Sequence, residues 1–332
     1  MIDRAFAPVQ AAIAAGRIPG AVLALQDATG RHVRVAGMAQ TVPTQVPMAA
    51  DTWFDLASLT KVVFTTTAIL RLVEQGRIRL DDTLASVIPD LRQYAVDTAA
   101  ERRLTFRQCL AHQTHLPAVE PLYTYGQSPQ TLRAFVLQRT WRAGPPVYSD
   151  INFILLGIAI ERLTGQPLAA QPLPPGFSFQ PSLESCAATE FCHWRGQIMR
   201  GQVHDENAFA LGGAAGHAGL FGTADALLDF ATGLLAATDL APSTIALLRT
   251  RQSATRALGW EVATPGWPGG DACSAETIGH TGFTGTGLWI DFNANRAWTL
   301  LTNRVHPSRH SDSGIAALRR TVGHQLYLPY TG

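Results

Sequence analysis

Lysine is almost missing from this chain of 332 residues: the basic residues number 26, and all but one of them are arginines. The acidic residues number 25, which leaves a formal net charge of +1. Such a balance provides no electrostatic attraction for nucleic acid or for an anionic membrane surface. We therefore expect a small-molecule or peptide substrate, and the sequence does not indicate an oligomeric state.

Long apolar runs are also missing, since no stretch approaches the roughly 20 residues that a membrane-spanning helix requires. The first residues, Met1 to Phe6, lack a basic segment followed by a long apolar one, so no secretory signal is predicted. A cytoplasmic location follows as an expectation, whereas a leader removed beforehand would make the location periplasmic or extracellular.

Cysteine is too sparse for a disulfide scaffold. The chain has four cysteines, which are Cys109, Cys186, Cys192 and Cys273. No C-x-x-C pair is present, and the adjacent residues Cys192 and His193, with His204 further on, suit a tetrahedral zinc ion poorly. We expect ordinary thiols, no metal and no other cofactor.

The single lysine, Lys61, is informative because arginine serves wherever the chain needs only positive charge. Arginine keeps its proton at any relevant pH, whereas a buried lysine amine is able to lose one. Drift that left one lysine at an arbitrary place would produce the same composition. The position of Lys61 within a motif, described below, favours the chemical interpretation.

Hydrophobic patterning predicts helices separated from strands along the chain. The helices are predicted at 3–16, 59–75, 104–112, 130–140, 150–164, 224–237, 242–250 and 312–326, and the strands at 20–27, 31–37, 278–290 and 297–303. Residues 166–200 are rich in proline and then irregular, which predicts a long loop.

Strands at both ends of the chain and helices between them are typical of an α+β fold. We predict an antiparallel sheet built from both chain ends and flanked by helices, with an inserted helical lobe. The predicted organisation is one catalytic domain of two lobes. Residues 1–80 and 205–332 form the α/β lobe, and 81–204 form the mainly helical lobe that includes the loop 166–200.

The motifs of several enzyme classes are absent. The sequence has no G-x-S-x-G, no H-E-x-x-H, no P-loop and no G-x-G-x-x-G. What remains is Ser58-Leu59-Thr60-Lys61 at the start of a strongly apolar helix. Residues three apart share a helix face, so the Lys61 amine is expected beside the Ser58 hydroxyl. Burial would lower the lysine pKa and leave a neutral amine that accepts the serine proton.

Each part of this motif also has a plain structural interpretation, because serine is a common helix N-cap. Two further segments strengthen the chemical interpretation. Tyr148 comes just before the second apolar helix, where it is able to shuttle a proton to a leaving group. The glycine-containing strand segment His280-Thr281-Gly282-Phe283 allows close approach of a ligand and offers a backbone N–H for an oxyanion hole.

In this order the three segments resemble the motifs of the serine β-lactamase and penicillin-binding protein family, particularly its class C and esterase-like branch. The resemblance covers most of the chain. It extends to the segments 104–112, 148–165, 203–208 and 216–221, the last two of which are similar to a subgroup containing cell-wall muropeptide amidases.

The resemblance implies a serine hydrolase that forms an acyl-enzyme ester on Ser58 and hydrolyses an amide or ester, including peptidoglycan-derived peptides. Lys61 and Tyr148 would manage the protons, and the N–H groups of Ser58 and Phe283 would form the oxyanion hole. Substrate binding would involve a further set of residues, which are Asp150, His280, Thr281, Gly282 and His217. His217 is equally well interpreted as a core histidine in a glycine-rich turn.

Three residues depart from the family pattern. Asp150 stands where asparagine is usual, His280 replaces the lysine of K-T-G, and His115 replaces a glycine. A histidine pairs with a substrate carboxylate more weakly and in a manner dependent on pH, which argues against efficient β-lactam hydrolysis. Two alternatives stay open: a binding protein that keeps the fold without turnover, and an acyltransferase that uses the same serine.

Overall fold

Both ends of the chain contribute strands to one antiparallel sheet, as predicted, in a computed structural model that describes residues 1–328. The strands of this structure are β1 (Gly20–Asp27), β2 (Gly30–Gln40), β3 (Val46–Pro47), β4 (Phe54–Asp55), β5 (Phe177–Ser178), β6 (Ala188–Cys192), β7 (Gln197–Arg200), β8 (Phe221–Gly222), β9 (Glu261–Val262), β10 (Thr277–Thr281), β11 (Gly287–Asp291) and β12 (Arg296–Thr302). The seven-stranded sheet has the order β3-β2-β1-β12-β11-β10-β9.

Helices cover the sheet and fill the middle of the chain. They are α1 (Ile2–Ala14), α2 (Thr67–Glu74), α3 (Phe106–Leu110), α4 (Pro129–Gln138), α5 (Asp150–Thr164), α6 (Glu206–Ala210), α7 (Ala224–Ala236), α8 (Pro242–Arg249) and α9 (Ile315–Tyr327). No helix within residues 1–328 has both the length and the apolar character needed to cross a membrane. The α+β class is confirmed, while the division into two lobes stays a prediction.

The alternation of side chains along β1 explains why the sheet has helices on both faces. Leu23 and Leu25 belong to the apolar cluster that includes α1 and α9, whereas Val22 and Ala24 belong to the larger cluster on the opposite face. Successive residues of a strand point to opposite faces, so a continuous apolar run predicts a strand buried on both sides.

The central helix is less regular than the predicted helix over 59–75. Its first part, Lys61–Thr66, is a π-helical turn that continues into α2. The Thr66 hydroxyl donates to the Lys61 carbonyl at 2.7 Å, and the Thr67 hydroxyl donates to the Val62 carbonyl at 3.1 Å. These side-chain bonds reach back five residues and satisfy carbonyls of the wide turn, a feature often found at functional sites.

Three predicted segments are wrong in detail. The loop 166–200 contains the hairpin β6–β7, in which Phe191 pairs with Ile198 across a turn that includes Gly196. The single strand predicted at 278–290 is instead the two strands β10 and β11, because Gly285 turns the chain with a φ of 115°. The last helix also begins later than predicted, at Ile315.

Candidate active site

Ser58 and Lys61 lie side by side at the start of the central helix. Ala57 adopts a left-handed φ of 48°, and the helical segment then begins at Leu59. The Lys61 Nζ lies 2.9 Å from the Ser58 Oγ, as the three-residue spacing predicts. Ser58 keeps part of its surface exposed, while Lys61 is fully buried.

The Lys61 side chain makes three hydrogen bonds that match the three hydrogens of an ammonium group. Besides Ser58, it donates to the carbonyl of His217 at 3.1 Å and forms an ion pair with the Asp150 carboxylate at 2.8 Å. Burial alone would lower the pKa of Lys61, but the Asp150 charge outweighs it and holds the pKa above its ordinary value. The predicted neutral amine is therefore wrong for the resting site, where Lys61 is protonated.

Tyr148 lies over the same ammonium group. The Lys61 Nζ is 5.0 Å from the centre of the Tyr148 ring, and the tyrosine also favours the charged form of the lysine, which adds to the raised pKa of Lys61. The Tyr148 ring packs against the His112 ring, with their centres 4.4 Å apart, and the Arg256 guanidinium lies 5.0 Å from the centre of the Tyr148 ring. Ser58, Lys61 and Tyr148 are thus brought together as the motifs predict.

Asp150 is the ion-pair partner of Lys61. It is the first residue of α5, where the Ser149 side chain caps the helix. A carboxylate in the first turn of a helix is favoured by the helix dipole. The residue was expected to bind substrate; one of its oxygens is held by Lys61 and its side chain is 21% exposed, so this expectation stays a prediction.

The His217 side chain is buried against Asp205. Its side chain is 1% exposed, and its Nε2 lies 2.9 Å from the Asp205 Oδ1. Burial opposes the ionisation of Asp205, but His217 and the bond from the Ala208 N–H outweigh burial and hold the pKa of Asp205 below its usual range. The expectation that His217 lines the pocket is therefore wrong: the side chain is buried and its carbonyl supports Lys61.

Asp150, Asp205 and His217 bring three potential metal-ligand atoms within 4.8 Å of one another. The donor types would suit a divalent cation. The same cluster, however, already surrounds the Lys61 ammonium, which bonds to Asp150 and to the His217 carbonyl. A second cation would have to displace or neutralise that lysine, and the expected absence of a metal stays a prediction.

The strand segment around His280 forms the opposite wall of the site. His280 is buried, its Nδ1 donates to the Thr281 carbonyl at 2.9 Å, and burial holds its pKa well below the usual range, with Arg256 and Lys61 adding to the effect. The imidazole is therefore neutral at ordinary pH. The expectation of pH-dependent pairing with a substrate carboxylate is corrected, because a buried neutral ring does not supply that charge.

Gly282 is required by its surroundings. A Cβ at this position would lie 2.1 Å from the Thr286 Oγ1 and 2.6 Å from the Leu56 carbonyl oxygen. The Thr284 hydroxyl also donates to the Asp55 carbonyl at 2.7 Å. The turn 282–286 is thus packed directly against the residues that precede Ser58.

Two backbone donors in these touching segments are free. Within residues 1–328, the N–H groups of Ser58 and Phe283 donate to no other group. Backbone N–H groups without a partner are the kind of donor that binds an oxyanion, and the oxyanion role of these two groups stays a prediction. Phe283 is 49% exposed, and Thr281 is partly exposed, so both remain accessible from solvent.

A family model described as Beta-lactamase matches residues 2–321. The chain belongs to the beta-lactamase family. It is 31% identical to an N-acetylmuramyl-L-alanine amidase of Bacillus subtilis, over 89% of this chain and 79% of that protein. It is also 31% identical to a putative D-alanyl-D-alanine carboxypeptidase of Escherichia coli, over 79% of this chain and 71% of the relative.

The fold agrees with a solved class C beta-lactamase, with a TM-score of 0.74 and 17% identity over 96% of this chain and 94% of that one. Members of the beta-lactamase family related to this chain are serine hydrolases, and a covalent acyl-enzyme is characteristic of the family. The chain is accordingly a serine hydrolase of this type, and the predicted resemblance is confirmed.

The third departure from the beta-lactamase family pattern, His115, lies apart from the reacting groups. Its Nε2 is 3.8 Å from the buried Glu101 carboxylate, which also lies 3.6 Å from the Arg92 guanidinium. The Trp141 N–H donates to the same carboxylate at 3.1 Å. His115 therefore belongs to a polar cluster within the 81–204 segment.

Sequence analysis missed three residues of this beta-lactamase-type site. Asp205 has the signature of a helix N-cap, which it also is, so its contact with His217 is not readable locally. Arg256 and Arg319 lie far along the chain from Ser58 and Lys61, so no local pattern connects them with that motif. The Arg319 guanidinium donates to the carbonyls of Gly282 and Thr286 at 2.9 and 2.7 Å and so holds the turn 282–286.

Proposed function

We propose that this protein hydrolyses an amide bond in peptides released from peptidoglycan, through an acyl-enzyme on Ser58. The observation that carries the proposal is the 2.9 Å contact between the Ser58 Oγ and a fully hydrogen-bonded Lys61. The named activities of the amidase and the putative carboxypeptidase support this substrate class. Released peptides suit the proposal whether the protein acts inside or outside the cell, and the cytoplasmic location stays a prediction.

The raised pKa of Lys61 determines the order of proton transfers. Lys61 first gives one proton to the Asp150 carboxylate 2.8 Å away, and the neutral amine then accepts the Ser58 hydroxyl proton as the Oγ attacks the carbonyl carbon. Lysine is thus an ammonium before and after the step, and Asp150 holds the extra proton. The scheme assigns Asp150 the role of proton acceptor through Lys61.

Breakdown of the tetrahedral intermediate requires a proton on the departing nitrogen. Tyr148 lies against Lys61 and donates its hydroxyl proton to that nitrogen, while the proton held by Asp150 returns through Lys61 to the tyrosine. The carbon–nitrogen bond breaks, and the acyl group stays on Ser58. Water then attacks the ester and gives its proton to the same relay, which restores the Ser58 hydroxyl and releases the acid.

The oxyanion that forms in each step accepts hydrogen bonds from the N–H groups of Ser58 and Phe283. Both groups are free in the described structure, and donors of this kind are each worth roughly a hundredfold or more in rate. The hydroxyl of Thr281, which makes no bond within residues 1–328, is available for a polar group of the substrate.

The test is acyl-enzyme trapping by mass spectrometry. A fluorescent penicillin and an activated ester should each label the wild-type protein once, on the peptide containing Ser58. Ser58→Ala should abolish labelling, whereas Ser243→Ala, an exposed serine of α8, should not. Label on another residue, or label that persists in Ser58→Ala, would refute the assignment.

The same experiment separates hydrolysis from the two alternatives. A muropeptide substrate should yield free peptide and free acid in equal amounts, with a transient ester on Ser58. Stable binding without any ester would indicate a non-catalytic protein. Transfer of the acyl group to an added amine in preference to water would indicate an acyltransferase.

A further inference from the structure

A cavity lies behind the central helix, away from the reacting groups. Its volume is about 370 Å³, and neither Ser58, Lys61 nor Tyr148 lines it. The residues that form its apolar lining include Val63, Phe64, Leu72, Phe177 and Phe230. This volume lies within the range of small-molecule sites, and a cavity of less than half that volume is able to hold benzene.

The proline-rich segment of the chain forms one wall of this cavity. Pro172, Pro174 and Pro175 line it together with Leu173. Each proline ring fixes a backbone angle, so the wall resists collapse onto the facing helix. The segment that the sequence singles out as a long loop is therefore used to keep an apolar cavity open.

Arg71 is the polar group that is available to a ligand. It lines the cavity and is half-buried, yet within residues 1–328 its guanidinium makes no hydrogen bond or ion pair. Arg77 is already bonded to the Leu163 carbonyl. Two acidic residues, Asp229 and Asp239, also line the cavity and are exposed to solvent. The Asp229 carboxylate lies 2.7 Å from the Arg31 guanidinium.

We propose that this cavity is a second ligand site, separate from the active site, for an aliphatic monoanion of about the size of decanoate. The apolar tail occupies the cavity between Phe64, Phe177 and the prolines. The carboxylate pairs with the unpartnered Arg71, whose planar guanidinium suits bidentate binding of such a group. Exposure of Asp229 and Asp239 to water screens their repulsion of the anion.

The site also has a physical connection to the reaction. Val63 and Phe64 belong to the π-helical turn that begins with Lys61, and Thr67, which also lines the cavity, bonds to the Val62 carbonyl. A ligand that packs on Val63, Phe64 and Thr67 therefore contacts the turn that positions the lysine. Its occupancy should change turnover without blocking Ser58.

Calorimetric titration of the full chain tests the proposal, with decanoate below its micelle concentration as the probe and decyltrimethylammonium as the probe of opposite charge. Decanoate should bind with one-to-one stoichiometry, and at least about tenfold more tightly than the ammonium compound. Binding should persist when Ser58 carries a penicilloyl group, because the cavity does not include the nucleophile.

Two variants make the result specific. Arg71→Gln should weaken decanoate binding by about tenfold or more, whereas Arg142→Gln, an exposed arginine without a partner within residues 1–328, should leave it unchanged. Ala68→Phe fills the cavity and should abolish binding. Equal binding of both probes, an unaffected Arg71→Gln variant, or no binding of decanoate to wild type would overturn the proposal.

Discussion

The two walls of the active site differ in how their polar groups are used. On the Lys61 wall, every hydrogen of the ammonium is bonded, to Ser58, Asp150 and the His217 carbonyl. The other wall, called the oxyanion wall here, is the proposed oxyanion site at Ser58 and the turn 282–286. Its two donors, the N–H groups of Ser58 and Phe283, have no partner within residues 1–328. The comparison teaches that proton transfer requires a complete hydrogen-bond network, whereas stabilisation of a new negative charge requires donors that have no hydrogen-bond partner in the resting enzyme.

The walls also differ in what fixes them. The Lys61 wall is held by the ion pair Lys61–Asp150 and by the hydrogen bond between the His217 Nε2 and the Asp205 carboxylate. The oxyanion wall is held by neutral carbonyls that accept from the buried Arg319, together with the Arg304 bond to the Phe283 carbonyl at 2.8 Å. Substitutions on the first wall should change protonation, and those on the second should change geometry.

The largest effect is expected from Lys61→Arg. The variant keeps the positive charge but removes the group that exchanges a proton, so kcat/KM should fall by several orders of magnitude. Steady-state hydrolysis of an activated ester measures the loss. Arg142→Lys is the control for an exchange between arginine and lysine outside the active site. Near-normal turnover of Lys61→Arg, with an unchanged melting temperature, would contradict the role of Lys61 in proton transfer.

A smaller effect is expected from Asp150→Asn, which keeps the side-chain shape and removes the charge. We expect kcat to fall by roughly a hundredfold, because Lys61 loses its proton acceptor. Without the carboxylate, burial is no longer outweighed and the pKa of Lys61 should fall. Because only a neutral Lys61 is then able to accept the serine proton, the rate of the variant should rise with pH through the lowered pKa of the lysine. The same dependence of rate on pH as in the wild-type protein would show that Asp150 is not the proton acceptor.

Arg319→Gln should have the smallest effect on activity of the three. It loosens the Gly282–Thr286 turn without touching substrate, so kcat should fall by about tenfold with KM nearly unchanged. Arg319→Lys, which keeps a donor, should restore part of the loss. A variant that is less stable to urea but fully active would indicate a purely structural arginine.

Local patterns in the sequence predict the parts of this site that depend on helix and strand periodicity. The Ser58–Lys61 contact follows from a three-residue spacing, and the two-faced strand β1 follows from its continuous apolar run. The motifs around Tyr148 and His280 also pointed to the beta-lactamase family, and the match to residues 2–321 confirms that family. The roles of the individual residues stay predictions.

What the sequence does not predict depends on contacts across long separations. Asp205 and His217 meet only when α6 and the glycine-rich turn fold together, and Asp150 reaches Lys61 from another helix. Burial of Lys61 suggested a neutral amine, and only the neighbouring carboxylate reverses that conclusion. The hairpin β6–β7 was hidden because its short strands, interrupted by a bulge, lack a clear alternating pattern.

The most direct test of the account uses the fact that the chain contains one lysine. Protein labelled with 15N-lysine should give a single side-chain resonance, which an NMR titration follows without assignment. We predict an ammonium signal in the resting enzyme that persists beyond pH 10.5, the ordinary lysine value, and that titrates at lower pH in Asp150→Asn. A neutral amine signal near pH 7 in the wild-type protein would contradict the central claim that Asp150 keeps Lys61 protonated at rest.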